Sequence, residues 1–160
     1  MNYHTQNTKL RLRFNTDGHT GVGRALCNLR STINFNLFVR TPYSRIVDDG
    51  QIITTAPVYP THDYMRTLLM SECIIILYQS TLPDRLRVAY KQARKNRKSA
   101  WLIDMDIQPP EEMTNIFNQS YLKHYWTNNV TVLGPTESEC PNIYHTTMQF
   151  FSSFLSRLNV

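Results

Sequence analysis

The chain has 160 residues, a length that fits a single domain built around one hydrophobic core. Hydrophobic residues make up 41% and charged residues 18%, which excludes a disordered or fibrous chain. The net charge of +5 favours an anionic partner, either nucleic acid or a phosphorylated metabolite. No apolar run approaches the roughly 20 residues that span a bilayer, and no signal peptide is evident. We therefore expect a cytoplasmic protein that does not bind membranes.

The hydrophobic patterns, taken in chain order, predict strands that alternate with helices. The predicted strands are Lys9–Phe14, Asn36–Val39, Ile52–Thr55, Cys73–Tyr78, Ala100–Met105 and Val130–Leu133. The predicted helices are Val22–Arg30, Thr61–Ser71, Pro83–Lys95, Pro109–Gln119 and Ile143–Leu158. This alternation indicates parallel strands joined by right-handed crossovers. We predict one α/β domain over residues 1–160, a three-layer sandwich with a mainly parallel central sheet.

Ligands of an open parallel sheet bind beyond the carboxyl ends of its strands. This rule selects the loops that follow Phe14, Tyr78, Met105 and Leu133. The first loop, Asn15–Arg24, reads NTDGHTGVGR. Its glycines allow the backbone to approach an anion, and the N–H groups at the start of the next helix favour phosphate. The loop is neither a P-loop nor a GxGxxG motif, so a glycine-rich turn without a ligand is the alternative.

The side chains of these loops have two readings each. His19 can contact phosphate or transfer a proton, or it can be an exposed loop residue. Asp17 can orient a ribose hydroxyl, or it can stabilise a turn. Ser80 and Thr81 can reach a sugar or phosphate, or they can cap the next helix. The candidate ligand-binding residues are Asn15, Asp17, Gly18, His19, Thr20, Gly21, Val22, Gly23, Arg24, Gln79, Ser80, Thr81, Asp104, Gly134 and Pro135.

Metal and disulfide chemistry have little support in the sequence. Asp104 and Asp106 form a carboxylate pair, but no further ligand joins them, so we predict no metal site. Cys27, Cys73 and Cys140 are odd in number and far apart, which fits three reduced cysteines. No spacing assigns a nucleophile or an acid–base pair, so the catalytic residues stay unassigned.

Two motifs carry a resemblance to a known family. Asp17–Leu26, DGHTGVGRAL, resembles the family motif GGQTGVDRAAL, and Asn129–Tyr144 contains LGPTES followed by Pro-Asn-Ile-Tyr. The chain resembles the molybdenum-cofactor carrier family within the SLOG superfamily of Rossmann-like nucleotide-binding proteins, as a divergent member. The resemblance implies a Rossmann-like fold, a ligand at Gly18–Arg24 such as a pterin nucleotide, and a homo-oligomer such as a dimer. Gly23 stands where the family motif has an acidic residue.

These observations predict a binding protein for a phosphorylated, nucleotide-derived small molecule. It would act as a carrier, a sensor or a sequestering protein, with a phage protein that soaks up a nucleotide signal as a special case. We expect no required cofactor and a binding role rather than an enzymatic one. One alternative is a hydrolase that cleaves an N-glycosidic or phosphate bond through Asp17, His19, Arg24 and Asp104. The other is a degenerate module that binds protein or nucleic acid through Lys91–Lys98 and Tyr121–Trp126, although the sequence makes nucleic acid the less favoured partner.

Overall fold

The computed structural model describes residues 12–42, 48–61, 63–117 and 129–158. Within them the strands are β1 Arg13–Thr16, β2 Asn36–Thr41, β3 Val58–Pro60, β4 Cys73–Tyr78, β5 Ser99–Asp104 and β6 Asn129–Leu133. The helices are α1 Val22–Leu29, α2 Tyr64–Leu69, α3 Asp84–Lys95, α4 Pro110–Ile116 and α5 Ile143–Arg157. None of these helices is both long and apolar enough to cross a membrane. The predicted α/β, Rossmann-like fold is confirmed.

The strand order places the carboxyl ends of three strands together. The sheet runs β3-β2-β1-β6-β4-β5, and its strand pairs are parallel. The chain moves outward from β1 through β2 to β3 on one side, while β4 and β5 lie on the other. β6 returns between β1 and β4. The loops after β1, β6 and β4 therefore meet where the winding direction changes, which is where an open α/β sheet binds ligands.

Two hydrophobic layers cover the sheet and hold these loops in place. On one face, rings from β1, α5 and the end of α4 pack together, with Phe14 and Phe151 centroids 5.5 Å apart. On the other face, α2 and α3 cover β4, β5 and β6 with buried leucine, isoleucine and alanine side chains. Strand β4 is buried along nearly its whole length, as its uninterrupted apolar sequence CIIILY predicts.

The third strand lies further along the chain than the sequence indicates. Val58–Pro60 pairs with β2, whereas Ile52–Thr55, which was predicted as a strand, is outside the sheet. Ile53 is buried, but Ile52 is exposed, so the segment buries one of its two isoleucines. Pro60 ends an edge strand, a position where a missing N–H is tolerated. The predicted residues Lys9–Arg11, Gln119 and Tyr121–Trp126 lie outside the described residues.

Candidate functional site

The loop after β1 touches the loop after β6 at the level of the backbone. Gly21 has a φ of 91°, and a Cβ added there would lie 2.3 Å from the carbonyl oxygen of Pro135. A Cβ on Gly134 would lie 2.2 Å from Cγ2 of Val22. The N–H of Val22 donates to the Pro135 carbonyl at 3.3 Å. Both glycines are thus required by this close approach, which fixes the loop that precedes α1.

Asp17 is a buried carboxyl group at the end of β1. Its Oδ1 accepts the N–H of His19 at 3.1 Å. Gly23 makes room for it, because a Cβ at that position would lie 2.4 Å from Asp17 Oδ1. Burial raises the pKa of Asp17, and the positive charges of His19 and Arg85 only partly oppose this effect. A buried carboxyl with a raised pKa beside a sheet edge is a feature that functional sites share.

Two consecutive carboxylates bind the donors of the same loop. The N–H and hydroxyl of Thr20 donate to Asp48 at 2.8 and 2.7 Å. The two terminal nitrogens of Arg24 donate to the two oxygens of Asp49, both at 2.9 Å. The hydrogen bonds from Arg24 lower the pKa of Asp49. Burial acts to raise the pKa of Asp48, but the Thr20 hydrogen bonds outweigh it and lower the pKa. These donors therefore hold anionic groups, here the chain's own.

His19 joins this loop to the start of α2. Its Nε2 lies 3.4 Å from the hydroxyl of Tyr64, and the two rings are perpendicular with centroids 5.9 Å apart. Its Nδ1 lies 3.6 Å from Asp48 Oδ1. Burial raises the pKa of Tyr64, and the negative charge of Asp17 acts in the same direction. Tyr64 is not among the candidate residues predicted from the sequence, so this polar contact was not predicted.

Arg85 is a second site residue that the sequence did not assign to the site. It lies in the first turn of α3 and donates to the Gly134 carbonyl at 3.1 Å. Its Nε donates to both oxygens of Glu139, at 3.1 and 2.9 Å, and this pairing lowers the pKa of Glu139. A helix dipole disfavours a cation in the first turn, which is a signal that could have identified this residue.

The turn after β4 is held by carboxylates from the end of β5. Asp104 Oδ1 accepts the N–H groups of Ser80 and Asp106 at 3.1 and 3.0 Å. Asp106 accepts the Ser80 hydroxyl and, at 2.9 Å, the Gln79 amide. Ser80 has a φ of 63° in this turn, and these hydrogen bonds lower the pKa of Asp106. The polar groups predicted here to bind a ligand bind one another.

The structure brings most of the predicted residues to the same edge of the sheet. The stretch from Asp17 to Arg24 lies against Gly134 and Pro135, and the Gln79–Thr81 turn lies against Asp104. Asn15 is different, because it lies within β1 and lines a separate groove on the sheet face. Within the described residues, no group of three or more His, Cys, Asp and Glu side chains is placed to hold a metal ion.

Comparison with known proteins agrees with this architecture. The model of the circularly permutated YpsA SLOG family matches residues 15–155. The crystal structure of the "Putative molybdenum carrier protein" from Syntrophus aciditrophicus SB superposes with a TM-score of 0.75 at 22% sequence identity, covering 92% of this chain and 96% of that chain. At that identity the likeness shows the fold. No curated protein matches the chain. The predicted membership of the SLOG superfamily is confirmed.

Proposed function

The chain belongs to the circularly permutated YpsA SLOG family, and we propose that it is a binding protein for a phosphorylated, nucleotide-derived small molecule. Its role would be that of a carrier, a sensor or a sequestering protein, acting in the cytoplasm and assembled as a homo-oligomer. The structural neighbour bears the name of a molybdenum carrier protein, which supports a carrier role. We propose a pterin nucleotide as one ligand. The observation that carries the proposal is the carboxylate binding by Thr20 and Arg24.

Carboxylate and phosphate oxygens accept the same donors. Thr20 offers a backbone N–H and a hydroxyl, and Arg24 offers a planar pair of N–H groups suited to either anion. A phosphorylated ligand would replace Asp48 and Asp49 on these donors. The exchange is feasible because both carboxylates are partly exposed, at 33% and 29% of their side-chain surface. The Arg24–Asp49 ion pair has a partly exposed carboxylate, and ion pairs near the surface contribute only about 0–1 kcal/mol.

Groups that fit the sugar part of a nucleotide lie beside the phosphate donors. The Asp17 carboxyl accepts the N–H of His19, the residue before Thr20, and the Tyr64 hydroxyl contacts the His19 ring. Carboxyl and phenol groups are donors and acceptors that suit ribose hydroxyls. Arg85 lies at the same edge, where its guanidinium donates to the Gly134 carbonyl at 3.1 Å and pairs with Glu139. We propose that these three side chains orient the nucleoside part while Thr20 and Arg24 bind its phosphate.

The nearby thiol does not turn this site into a nucleophilic one. Cys27 lies on α1, and burial raises the pKa of its thiol to about 12. A thiol with that pKa stays protonated near neutral pH, whereas the thiolate is the reactive form. We therefore propose binding, with no covalent step through Cys27.

Arg24→Ala tests the proposal. We expect the variant to bind ADP more weakly than the wild type by about 1.5–3 kcal/mol, because a charge-assisted contact is lost. Isothermal titration calorimetry with AMP, ADP and GDP measures this, and native mass spectrometry of freshly purified protein identifies a retained small anion. The matched control is Arg87→Ala on the exposed face of α3, which should bind like the wild type. Unchanged binding in Arg24→Ala would remove Arg24 from the site.

A further inference from the structure

One face of the sheet carries two arginines and two aromatic rings. Phe38 and Arg40 are two residues apart on β2 and therefore point to the same face. Arg40 is the register partner of Tyr59 on β3, and Arg13 on β1 is the register partner of Asn36. Arg13, Phe38, Arg40 and Tyr59 thus lie side by side across three strands. We call these four residues the Arg–aromatic face.

The four side chains are stacked on one another. The rings of Phe38 and Tyr59 are nearly parallel, with centroids 5.7 Å apart and an interplanar angle of 28°. The guanidinium of Arg13 lies 4.6 Å from the Phe38 centroid, and that of Arg40 lies 4.9 Å from the Tyr59 centroid. Tyr59 keeps 43% of its surface exposed. Arg13 is exposed as well, so part of this stack is open to solvent.

A polar groove of about 260 Å³ borders the Arg–aromatic face. Arg13 and Arg40 line it together with Asn15, Thr67, Ser71 and Asn129. Glu72 also lines the groove, yet no ion pair joins it, or any other acid in the described ranges, to Arg13 or Arg40. The guanidinium donors of both arginines are thus available to an anionic partner. The chain's net charge of +5 favours such a partner at long range.

We propose that the Arg–aromatic face binds single-stranded nucleic acid. This face is separate from the strand-end site, by which we mean the loop Asp17–Arg24 after β1. Proteins hold unpaired strands by stacking bases on aromatic or guanidinium planes and by placing cations along the phosphates. Arg40 lies four residues beyond the register partner of Arg13, so the face is about 13 Å long at roughly 3.3 Å per residue. That length exceeds one nucleobase and fits a strand. The four residues of the face lie on strands, so they offer no helix for the major groove of a duplex.

Fluorescence anisotropy with a labelled 12-nucleotide oligo-dT tests the proposal over a series of salt concentrations. Arg13→Gln/Arg40→Gln should lower the affinity at least tenfold. It should also flatten the plot of log affinity against log salt by about 1.4, since each phosphate contact on a single strand contributes about 0.7. Tyr59→Leu should lower the affinity about tenfold with an unchanged salt slope, because stacking is lost but no cation is.

Two further variants separate this face from general charge. Lys91→Gln/Lys95→Gln removes two cations from exposed positions of α3 and should keep the affinity within about twofold. Arg13→Lys/Arg40→Lys keeps the charge and should keep the salt slope while weakening binding, because lysine does not stack as a plane. Thermal melting of each variant confirms folding, and ADP titration reports on the strand-end site independently.

Each contrary result overturns the proposal. No binding of oligo-dT by the wild type at low salt excludes nucleic acid on this face. If Lys91→Gln/Lys95→Gln lowers the affinity for oligo-dT as much as Arg13→Gln/Arg40→Gln does, the interaction is general electrostatic attraction. If Arg13→Gln/Arg40→Gln instead converts a dimer to a monomer in analytical ultracentrifugation without altering oligo-dT binding, the face belongs to a second copy of the chain.

Discussion

Two strand-end turns of this sheet are bound by carboxylates, and they differ in where those carboxylates come from. The turn after β4 is bound by Asp104, which ends the neighbouring strand β5 and is only 7% exposed. The loop after β1 is bound by Asp48 and Asp49, which lie between β2 and β3 and are partly exposed. The same hydrogen-bonding chemistry thus serves the fold at one turn and leaves an exchangeable contact at the other.

The degree of burial explains why the carboxylate stabilises the fold at one turn and can be replaced by a ligand at the other. The buried Asp104 carboxylate accepts two backbone N–H groups of the turn, so its loss removes both hydrogen bonds at once. The donors of Thr20 and Arg24 lie near solvent, so water or a ligand can satisfy them when the carboxylates leave. Replacing Asp104 should therefore change the stability of the fold, whereas replacing Asp48 and Asp49 should change ligand binding.

Replacing Asp104 should have the largest effect. Asp104→Ala leaves the N–H groups of Ser80 and Asp106 without their acceptor, and we expect the free energy of unfolding to fall by about 2–4 kcal/mol. Urea denaturation monitored by circular dichroism measures it. Asp106→Ala is the control, because that carboxylate is exposed and should cost clearly less. Equal losses in the two variants would contradict the distinction between buried and exposed carboxylates.

Removing the exchangeable carboxylates should strengthen ligand binding. Asp48→Asn/Asp49→Asn takes two competing anions away from Thr20 and Arg24, and we expect about tenfold tighter binding of ADP, or roughly 1.4 kcal/mol. Stability should change by less than about 1 kcal/mol, because exposed ion pairs contribute little. Calorimetry measures the first and urea denaturation the second.

The matched control for that variant is another pair of consecutive acids. Glu111→Gln/Glu112→Gln removes the same charge from the first turn of α4, where Glu111 pairs with Arg157 instead. We expect its affinity for ADP to equal that of the wild type. Weaker binding by the Asp48→Asn/Asp49→Asn variant would mean that these carboxylates contact the ligand directly rather than compete with it.

The contrast also explains what could be predicted from the sequence. Strand β4 has the predicted bounds because CIIILY is apolar at every position, a pattern typical of a strand covered on both faces. The glycine-rich loop was also recognisable from its composition, and Gly21 in it does have a positive φ. Both features are local, so a single stretch of sequence contains the information.

The residues that were missed act through contacts between distant segments. Asp48 and Asp49 lie between two predicted strands, in a stretch for which the sequence predicts no helix or strand. Nothing in that stretch indicates that they bind Thr20 and Arg24. Arg85 reaches the site because β6 lies beside β4, an order that strand patterns cannot supply. Hydrogen bonds across more than 20 residues depend on topology, so the site's partners could not be predicted, although its location could.

Asp17→Asn gives the smallest and most specific effect. Burial raises the pKa of Asp17 above its ordinary value of 3.8. The carboxyl group therefore contributes fully to the stability of the folded state below pH 3.8, where it is neutral. This contribution is lost as the pH rises through the raised pKa. Asparagine keeps an oxygen for the His19 N–H without the buried charge. We expect the variant to be more stable at pH 7 by about 1 kcal/mol, as when a strained site is relaxed, with the gain vanishing towards pH 4. Asp48→Asn should show the opposite trend, because the pKa of Asp48 is lowered. Urea denaturation at both pH values decides, and a gain that does not depend on pH would rule out the buried charge as its cause.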